Sequence, residues 1–188
     1  RHAEVNLRSY LDSLRGKTVA VIGIGVSNTP LVKLLCREGI SVTACDRRSR
    51  ADLGELAGEL EGAGAALQLG DGYLENLTQD VIFRTPGLRP DVPQLREAVA
   101  RGSVLTSEME EFFHVCPCPI IAVTGSDGKT TTTTIIAELL REAGKTVHVG
   151  GNIGHPLLCE AGEMAQTDWA VLELSSFQLM TMDVSPHI

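Results

Sequence analysis

The decisive stretch of this chain reads Val123-Thr124-Gly125-Ser126-Asp127-Gly128-Lys129-Thr130-Thr131. It follows the apolar run 120–123, which predicts a strand, and leads into a helical pattern over residues 130–143. A glycine-rich turn between a strand and a helix points backbone N–H groups at phosphate oxygens, and the helix N-terminus adds partial positive charge. We expect Lys129 to reach the terminal phosphates and the Thr130 hydroxyl to ligate Mg²⁺. The stretch therefore predicts a site for a nucleoside triphosphate.

The spacing of this loop differs from the strict phosphate-loop pattern G-x-x-x-x-G-K-[ST]. Val123 stands where that pattern has its first glycine, which leaves the tighter form T-G-S-D-G-K-T-T. The alternative is a turn of glycine, serine and aspartate that happens to carry a lysine. The strand before the loop, the helix after it and the Lys-Thr pair in register argue against that alternative.

The bulk composition is that of a globular protein, because 43% of the 188 residues are hydrophobic and 21% are charged. The formal net charge of -8 argues against a general nucleic-acid or anionic-membrane binder. No apolar run approaches the roughly 20 residues that span a bilayer. We therefore expect a protein that binds neither nucleic acid nor membrane. We also expect a monomer in the cytoplasm.

The five cysteines are an odd number without a framework spacing, which indicates a reduced protein. Cys116-Pro117-Cys118 could suggest a metal site, but no second Cys/His pair stands at ligand spacing. We interpret these two cysteines as structural thiols beside a strand.

Short apolar runs alternate with longer amphipathic stretches, which is the pattern of an α/β fold. Pro117 and Pro119 break any helix, so we place a domain boundary near residue 116. Beyond the phosphate loop we expect strands at 146–149 and 169–173, and a helix after Pro156. The elements expected before the boundary include 18–22, 29–38, 41–45, 53–63, 66–69, 81–84 and 93–101.

A second glycine loop, Gly23-Ile24-Gly25-Val26-Ser27-Asn28, follows the first predicted strand. With Asp46 about twenty residues on, it resembles the dinucleotide pattern G-x-G-x-x-G plus an acidic ribose ligand. Asn28 replaces the third glycine, so the match to an NAD site is incomplete. The backbone argument still holds, because Gly25 allows close approach of an anion to the N–H groups at the helix start.

Two further groups end predicted strands in the same domain. Arg47 and Arg48 follow Asp46 at a strand's carboxyl end, where α/β sheets place ligands, although a solvated loop is the alternative. Thr85-Pro86-Gly87 follows the strand 81–84 and presents backbone donors in a fixed turn. Taken alone it is most often a plain turn. It is a candidate ligand contact only because it lies in the same domain as the glycine loop.

Glu173 is the single acid in the apolar strand 169–173. A carboxylate that ends a strand downstream of a phosphate loop is where nucleotide hydrolases and ligases hold Mg²⁺. A buried, unpaired glutamate would be costly, and a metal partner removes that cost. The alternative is an exposed glutamate at the strand end.

Three motifs together resemble the Mur ligase family: T-G-S-D-G-K-T-T, then G-G-N-I-G at 150–154, then E-L-S-S-F-Q-L at 173–179. The resemblance covers essentially the whole chain, including the G-I-G-V-S loop, the D-R-R strand end and the T-P-G turn. The last motif is most similar to the members that add D-glutamate to UDP-N-acetylmuramoyl-L-alanine. The combination in this order is far more specific than any single motif.

The resemblance implies an α/β fold with an N-terminal Rossmann-like parallel-sheet domain, residues 1–115, that holds the substrate's uridine diphosphate. The first part of a P-loop ATPase α/β domain follows, residues 116–188. It implies that ATP activates a carboxylate as an acyl phosphate, which the amine of D-glutamate then attacks in peptidoglycan precursor synthesis. Lys129 and Glu173 are the implied catalytic residues, and Thr130 and Glu173 the implied Mg²⁺ ligands. The implied ATP-binding residues are Gly125, Ser126, Asp127, Gly128, Lys129, Thr130 and Thr131.

The resemblance also implies contacts to the UDP-sugar. Asn152 faces the muramoyl end of the substrate, with Ser175 and Gln178 on the same surface. The implied contacts to the UDP portion are Val26, Ser27, Asp46, Arg47, Arg48, Thr85 and Gly87.

Other interpretations stay open at this point. A different Mur ligase or a folylpolyglutamate synthetase shares the phosphate loop, although E-L-S-S-F-Q-L disfavours both. A non-catalytic nucleotide-binding module, a P-loop kinase and a switch GTPase are the remaining alternatives. The family's later metal-site segment and its third domain do not occur in these 188 residues. We therefore expect a fragment that is inactive alone but retains UDP-sugar binding.

Overall fold

The computed structural model describes residues 5–26, 28–151 and 155–188. The chain divides into two compact units. Residues 11–108 form the N-terminal unit, and residues 109–188 with the described residues before Leu11 form the phosphate-loop unit. Helix α1, Leu7–Ser13, runs from one unit into the other, and helix α6, Glu108–Val115, begins at the second division. The division at residue 108 comes before the predicted boundary near 116, because α6 from Met109 onward belongs to the phosphate-loop unit.

The N-terminal unit contains a five-stranded parallel sheet in the order β3-β2-β1-β4-β5. The strand order reverses between β1 and β4, and open α/β sheets bind ligands at such a switch point. The strands are β1 Thr18–Ile22, β2 Ser41–Asp46, β3 Ala66–Leu69, β4 Val81–Phe83 and β5 Val104–Thr106. The helices are α2 Asn28–Arg37, α3 Arg50–Leu53, α4 Glu55–Ala63 and α5 Pro93–Ala100.

The central strand β1 explains why this sheet forms. Its residues 19–22 are all fully buried, as expected for a parallel strand covered on both faces. Helix α2 packs against β1 and β2 and buries Leu31, Val32 and Leu35 at its helical spacing. The glycine loop that joins β1 to α2 is thereby fixed at both ends.

The phosphate-loop unit contains a three-stranded parallel sheet in the order β6-β8-β7. Helix α7, Lys129–Glu142, packs against all three strands. The central strand β8 pairs Glu173 with Val123 on one side and with Gly151 on the other. The remaining elements are β6 Ile120–Val123, β7 Val147–Gly151, a 3₁₀ helix Leu158–Glu163, β8 Trp169–Glu173 and helix α8 Ser176–Thr181.

The predicted α/β fold with parallel sheets is confirmed, whereas two local predictions differ from the structure and one helix was not predicted. The helix expected over 53–63 is two helices, because Gly54 with φ 59° separates them. The helix expected after Pro156 is the 3₁₀ helix Leu158–Glu163. Helix α8 was not expected, although Ser175 and Gln178 form a complete capping box at its start.

Candidate functional site

The phosphate loop joins β6 to α7 through five exposed residues, 124–128. Gly125 has φ 144° and Gly128 has φ 75°, in the region that favours glycine. Gly128 is also the N-cap of α7, and a glycine supplies no capping side chain. The N–H groups of the first turn therefore receive no side-chain hydrogen bond from the cap residue, and the helix dipole favours an anion beside them.

The Lys129 ammonium folds back over its own loop. Its Nζ donates to the Gly125 carbonyl oxygen at 2.7 Å and lies 3.5 Å from that of Ser126. A positive charge is thus held inside the loop by two neutral carbonyl oxygens. A phosphate bound by this loop would compete with them for the ammonium and would form the stronger, charge-assisted contact.

Thr130 and Glu173 meet beside the loop. The Thr130 hydroxyl donates to Glu173 Oε2 at 2.8 Å, which joins the first turn of α7 to the end of the central strand β8. Glu173 is only 6% exposed. The structure therefore brings together the two residues that sequence analysis expected to hold a cation, although they are 43 positions apart in the chain.

Gly151 supports Glu173 from the neighbouring strand. It has φ 96°, and a Cβ built on it would overlap the Glu173 carbonyl oxygen and lie 2.9 Å from the Glu173 backbone nitrogen. Any side chain at Gly151 would therefore push β7 away from β8 at the residue that faces Thr130. Sequence analysis singled out Asn152 in this motif, but Asn152 lies outside the described residues.

The second candidate site lies at the switch point of the N-terminal unit and is built around Asn28. Its side-chain Nδ2 donates to the carbonyl oxygens of Ile22 and Gly23, both at 3.0 Å, and the residue is 3% exposed. Where the dinucleotide pattern has a third glycine, this chain has an amide that closes the loop on itself. Asn28 departs from the pattern because it holds the loop backbone.

Asp46 and Arg48 also hold this loop. Asp46 Oδ2 accepts from the Ile24 N–H at 2.8 Å, and Oδ1 accepts from the Arg48 N–H at 2.8 Å and from Arg48 Nε at 3.0 Å. Burial raises the pKa of Asp46, but the hydrogen bonds from Arg48 and Ile24 outweigh it and leave the pKa lowered. Both carboxylate oxygens are engaged, so Asp46 first serves to orient the glycine loop.

The turn after β4 touches the same loop. A Cβ on Gly23 would lie 2.9 Å from Thr85 Cβ, so the glycine lets the two loops approach each other. Arg84 is buried and donates to the Leu88 carbonyl oxygen at 2.7 Å, and the Leu88 N–H returns to the Thr85 carbonyl at 3.1 Å. Thr85-Pro86-Gly87 is therefore a turn held from inside by an arginine.

The remaining predicted contacts of this unit differ in exposure. Val26 is 71% exposed, and Arg47 and Gly87 are exposed as well. Their positions on the switch-point loops leave them accessible to a ligand. Ser27 lies outside the described residues.

The described ranges contain neither a metal-ligand cluster nor a membrane-spanning helix. Among these residues, no group of three or more His, Cys, Asp and Glu side chains could hold a metal ion. Within the same part of the chain, every helix is too short or too polar to cross a bilayer.

Comparisons with known proteins agree with the geometry of the phosphate-loop unit. Residues 123–188 match the model of the Mur ligase middle domain. The chain is 52% identical over 184 residues to the UDP-N-acetylmuramoylalanine–D-glutamate ligase of Clostridium botulinum (strain Hall). The matched region covers 97% of this chain and 40% of that ligase. It is 51% identical over 183 residues to the ligase of the same name from Ruminiclostridium cellulolyticum, covering 97% and 39%. The chain is therefore similar to Mur ligases, over residues 123–188 for the middle-domain model and over nearly its whole length for the two ligases.

The lengths of this chain and of its Mur ligase relatives differ. The chain spans about 40% of the length of the curated relatives it matches. A solved structure, the murein peptide ligase Mpl of Psychrobacter arcticus, aligns with this chain at 23% identity and a TM-score of 0.47. The alignment covers 84% of this chain and 37% of the Mpl chain.

Two residues of the Mur ligase motif E-L-S-S-F-Q-L have a structural task. The Ser175 hydroxyl accepts from the Gln178 N–H at 3.1 Å, and Gln178 Oε1 accepts from the Ser175 N–H at 2.9 Å. This reciprocal pair caps helix α8, and Gln178 is buried. Their predicted role on a substrate surface stays a prediction.

Three residues that shape the two sites were not predicted from the sequence: Asn28, Arg84 and Gly151. Asn28 was noted only as a missing glycine, and Gly151 only as part of a motif. A glycine pair at the end of an apolar strand is a signal of close backbone approach, and it could have pointed to Gly151. Nothing in the local sequence distinguishes buried Arg84 from a solvent-exposed arginine at a strand end.

Proposed function

We propose that this chain provides the nucleotide-binding parts of an ATP-dependent ligase that joins D-glutamate to UDP-N-acetylmuramoyl-L-alanine in the cytoplasm. The phosphate-loop unit is proposed to bind ATP, and the N-terminal unit the uridine diphosphate of the sugar substrate. The domain assignment 1–115 and 116–188 belongs to the same proposal. The observation that carries it is the contact between Thr130 and Glu173 beside a phosphate loop in a chain related to Mur ligases.

The residues of the phosphate loop fit ATP. Gly125 and Gly128 take positive φ values, which glycine adopts without strain. The cap residue Gly128 supplies no side chain to the start of the following helix. Lys129 supplies a positive charge already directed into the loop. We assign Gly125 to Thr131 to the triphosphate, with Lys129 neutralising its charge as the reaction proceeds.

The pair Thr130 and Glu173 fits Mg²⁺. Both offer oxygen, the donor that Mg²⁺ prefers, and a buried carboxylate gains most from a cationic partner. Two protein oxygens suffice, because protein-bound Mg²⁺ keeps waters and takes phosphate oxygens as its other ligands. When bound, the ion neutralises phosphate charge. Thr130 and Glu173 would hold it at the end of β8.

The switch-point loops of the N-terminal unit fit a nucleotide diphosphate, and Asp46 does not offer the ribose contact that is typical of an NAD site. Both oxygens of Asp46 accept hydrogen bonds from the protein, so none is reserved for a ribose hydroxyl. Val26, Gly87 and Arg47 are exposed residues, and their backbone N–H groups and the Arg47 guanidinium are donors that suit an anion. We assign these residues, with Ser27 and Thr85, to the UDP portion and Asn152 to the muramoyl end.

The ATP assignment is tested by calorimetric titration with ATP in the presence and absence of Mg²⁺. Glu173→Gln is expected to weaken Mg²⁺-dependent binding by about tenfold or more, because a charged metal ligand is lost. The matched control Glu142→Gln removes an exposed carboxylate at the far end of α7 and should bind as the unchanged chain does. Equal affinities for both variants would refute the assignment of Glu173.

The UDP assignment is tested separately, by titration with UDP and with UDP-N-acetylmuramoyl-L-alanine. Arg47→Gln is expected to weaken both by about tenfold, whereas the control Arg37→Gln, exposed at the end of α2, should not. A folded sample that binds neither ligand would overturn the proposal for this unit. Quenching of NADH fluorescence would instead favour a dinucleotide site.

A further inference from the structure

Two cysteines of the phosphate-loop unit lie in contact at the start of its sheet. Cys116 follows α6, and Cys118 lies just before β6. Their sulfur atoms are 3.5 Å apart, and Cys116 Sγ is also 3.5 Å from the Cys118 carbonyl oxygen. Cys118 is only 3% exposed, whereas Cys116 is partly exposed. Cys116 is therefore the more exposed residue of the pair, and its sulfur is in contact with that of the buried Cys118.

The two thiols have unequal chemistry. The hydrogen bond from Cys118 lowers the pKa of Cys116, although burial opposes this effect. The same contact, together with burial, raises the pKa of Cys118. The thiolate is the reactive form of cysteine, so Cys116, the more exposed residue, also has the thiol that ionises more readily.

We propose that Cys116 and Cys118 form a reversible dithiol–disulfide pair that is oxidised by hydrogen peroxide. The Cys116 thiolate attacks one peroxide oxygen, the O–O bond breaks, and hydroxide leaves to give a sulfenic acid on Cys116. The Cys118 sulfur then attacks the Cys116 sulfur, the S–O bond breaks, and the hydroxide takes the Cys118 proton. Two thiols are oxidised to one disulfide, and one peroxide is reduced to two waters.

The geometry favours a disulfide over other fates of these thiols. The sulfurs must approach from 3.5 Å to about 2.05 Å, a short movement for two side chains already in contact. The ring that closes contains only Cys116, Pro117 and Cys118, and strained or exposed disulfides are the ones that thiols reduce readily. Across the described ranges no third His, Cys, Asp or Glu completes a metal cluster, which argues against a metal site.

The other cysteines provide internal controls. Cys45 is fully buried, and burial with the neighbouring Asp46 charge raises its pKa to about 12. Cys36 and Cys159 are partly exposed, as Cys116 is, so their oxidation would report exposure alone. If exposure alone decided, Cys36, Cys116 and Cys159 would all be oxidised. If the contact between two sulfurs decides, the oxidised pair is Cys116 and Cys118.

The test is peroxide treatment of the 188-residue chain, followed by alkylation with N-ethylmaleimide under denaturing conditions and mass spectrometry. We expect the mass to fall by two hydrogens and two fewer maleimides to be added, with the missing pair in the peptide that contains Cys116 and Cys118. Dithiothreitol should restore both sites. Sulfinic acid on Cys116 with Cys118 still alkylated would overturn the proposal, as would a disulfide involving Cys36 or Cys159.

Variants separate the two roles. Cys118→Ala is expected to stop the reaction at the Cys116 sulfenic acid, which dimedone traps, and Cys116→Ser should lose the reaction entirely. Cys36→Ser and Cys159→Ser should oxidise as the unchanged chain does. Dimedone labelling of Cys36 or Cys159 in place of Cys116 would refute the assignment. The peptide map of the unchanged chain decides the question even where a variant does not fold.

Discussion

In both candidate sites, single residues determine how the backbone is held. Some do so through hydrogen bonds of their side chains, and a glycine does so because it has no side chain. In the phosphate-loop unit, Gly151 allows β7 to lie against Glu173. In the N-terminal unit, Asn28 and Asp46 hold the glycine loop through their side chains. The loops that are expected to touch ligands are thus positioned by buried side chains and by one glycine.

Gly151→Ala is expected to lower the free energy of unfolding by about 3 kcal/mol or more, because the new Cβ meets the Glu173 backbone at an unfavourable φ. Urea unfolding followed by circular dichroism measures the change. Gly144→Ala is the matched control, with φ 78° and no atom within 4 Å of its Cβ. It should lose only the backbone cost of about 1–2 kcal/mol, and equal losses would contradict the close approach.

Asp46→Asn is expected to destabilise the chain by about 1–3 kcal/mol at neutral pH, because buried hydrogen bonds to Ile24 and Arg48 weaken. The folded-state pKa of Asp46 is lowered. Its contribution is therefore complete above the unfolded value near 4 and is lost as the pH falls through the folded value.

The pH dependence is measured by urea unfolding of both proteins between neutral and acidic pH. The stability difference between the unchanged chain and Asp46→Asn should narrow as the pH falls. Asp71→Asn, in an exposed loop position, is the control and should change stability by less than about 0.5 kcal/mol. A difference that stays constant down to acidic pH would mean that the carboxylate charge of Asp46 has no role.

At the scale of elements, helix α7 combines a ligand-binding end with a core-facing side. Five threonines in a row are weak helix formers, and the structure gives several of them separate tasks. Thr130 donates to Glu173, and Thr134 donates back to the Thr130 carbonyl oxygen at 2.8 Å. Thr133 is fully buried. Tertiary contacts therefore outweigh local propensity in this helix.

Thr133→Val is expected to raise the free energy of unfolding by about 1 kcal/mol. Its buried Oγ1 has no hydrogen-bond partner among the described residues, so replacing the hydroxyl by a methyl group removes a desolvation cost. Thermal unfolding measures the change. Thr132→Val, exposed on the same helix, should leave stability nearly unchanged. A less stable Thr133→Val protein would indicate that the hydroxyl does have a partner.

The elements show what sequence could predict and where it failed. Strands such as β1 and β8 were predictable, because buried parallel strands are continuous apolar runs. The two-helix form of 50–63 was missed, although Ser49 and Asp52 form a capping box and Gly54 separates the helices. The meeting of Thr130 with Glu173 was expected only from the motif, since strand order is a non-local property. Asn28 and Arg84 needed the folded backbone, because their partners are carbonyl oxygens.

For the whole molecule, the two compact units are expected to respond to different ligands. Hydrogen–deuterium exchange should show that MgATP protects peptides around 120–131 and 169–174, and that UDP protects peptides around 22–30 and 84–88. Bound ligands slow the local opening that exposes amide hydrogens. The Glu142→Gln and Arg37→Gln variants serve as controls for each half. Protection in the opposite pattern would contradict the assignment of ligands to units.

The 188-residue polypeptide is expected to release no ADP when given ATP, UDP-N-acetylmuramoyl-L-alanine and D-glutamate. It spans about 40% of the length of its curated relatives, and positioning a reacting carboxylate and amine requires groups from more than a phosphate loop. A coupled assay for ADP measures this, with a full-length relative as the positive control. Sustained turnover would show that these residues suffice for the reaction.

The folded-back lysine of the phosphate loop has a consequence for how its affinity is measured. Lys129 must give up its contact to the Gly125 carbonyl before it can serve a phosphate. The free energy of breaking that contact is subtracted from the binding free energy and raises every observed dissociation constant, because binding is measured from a resting state in which the lysine already has a partner. A lysine substitution therefore removes an attraction and an internal competitor together. Its measured effect is the difference between the two, and it understates the strength of the ammonium–phosphate contact itself.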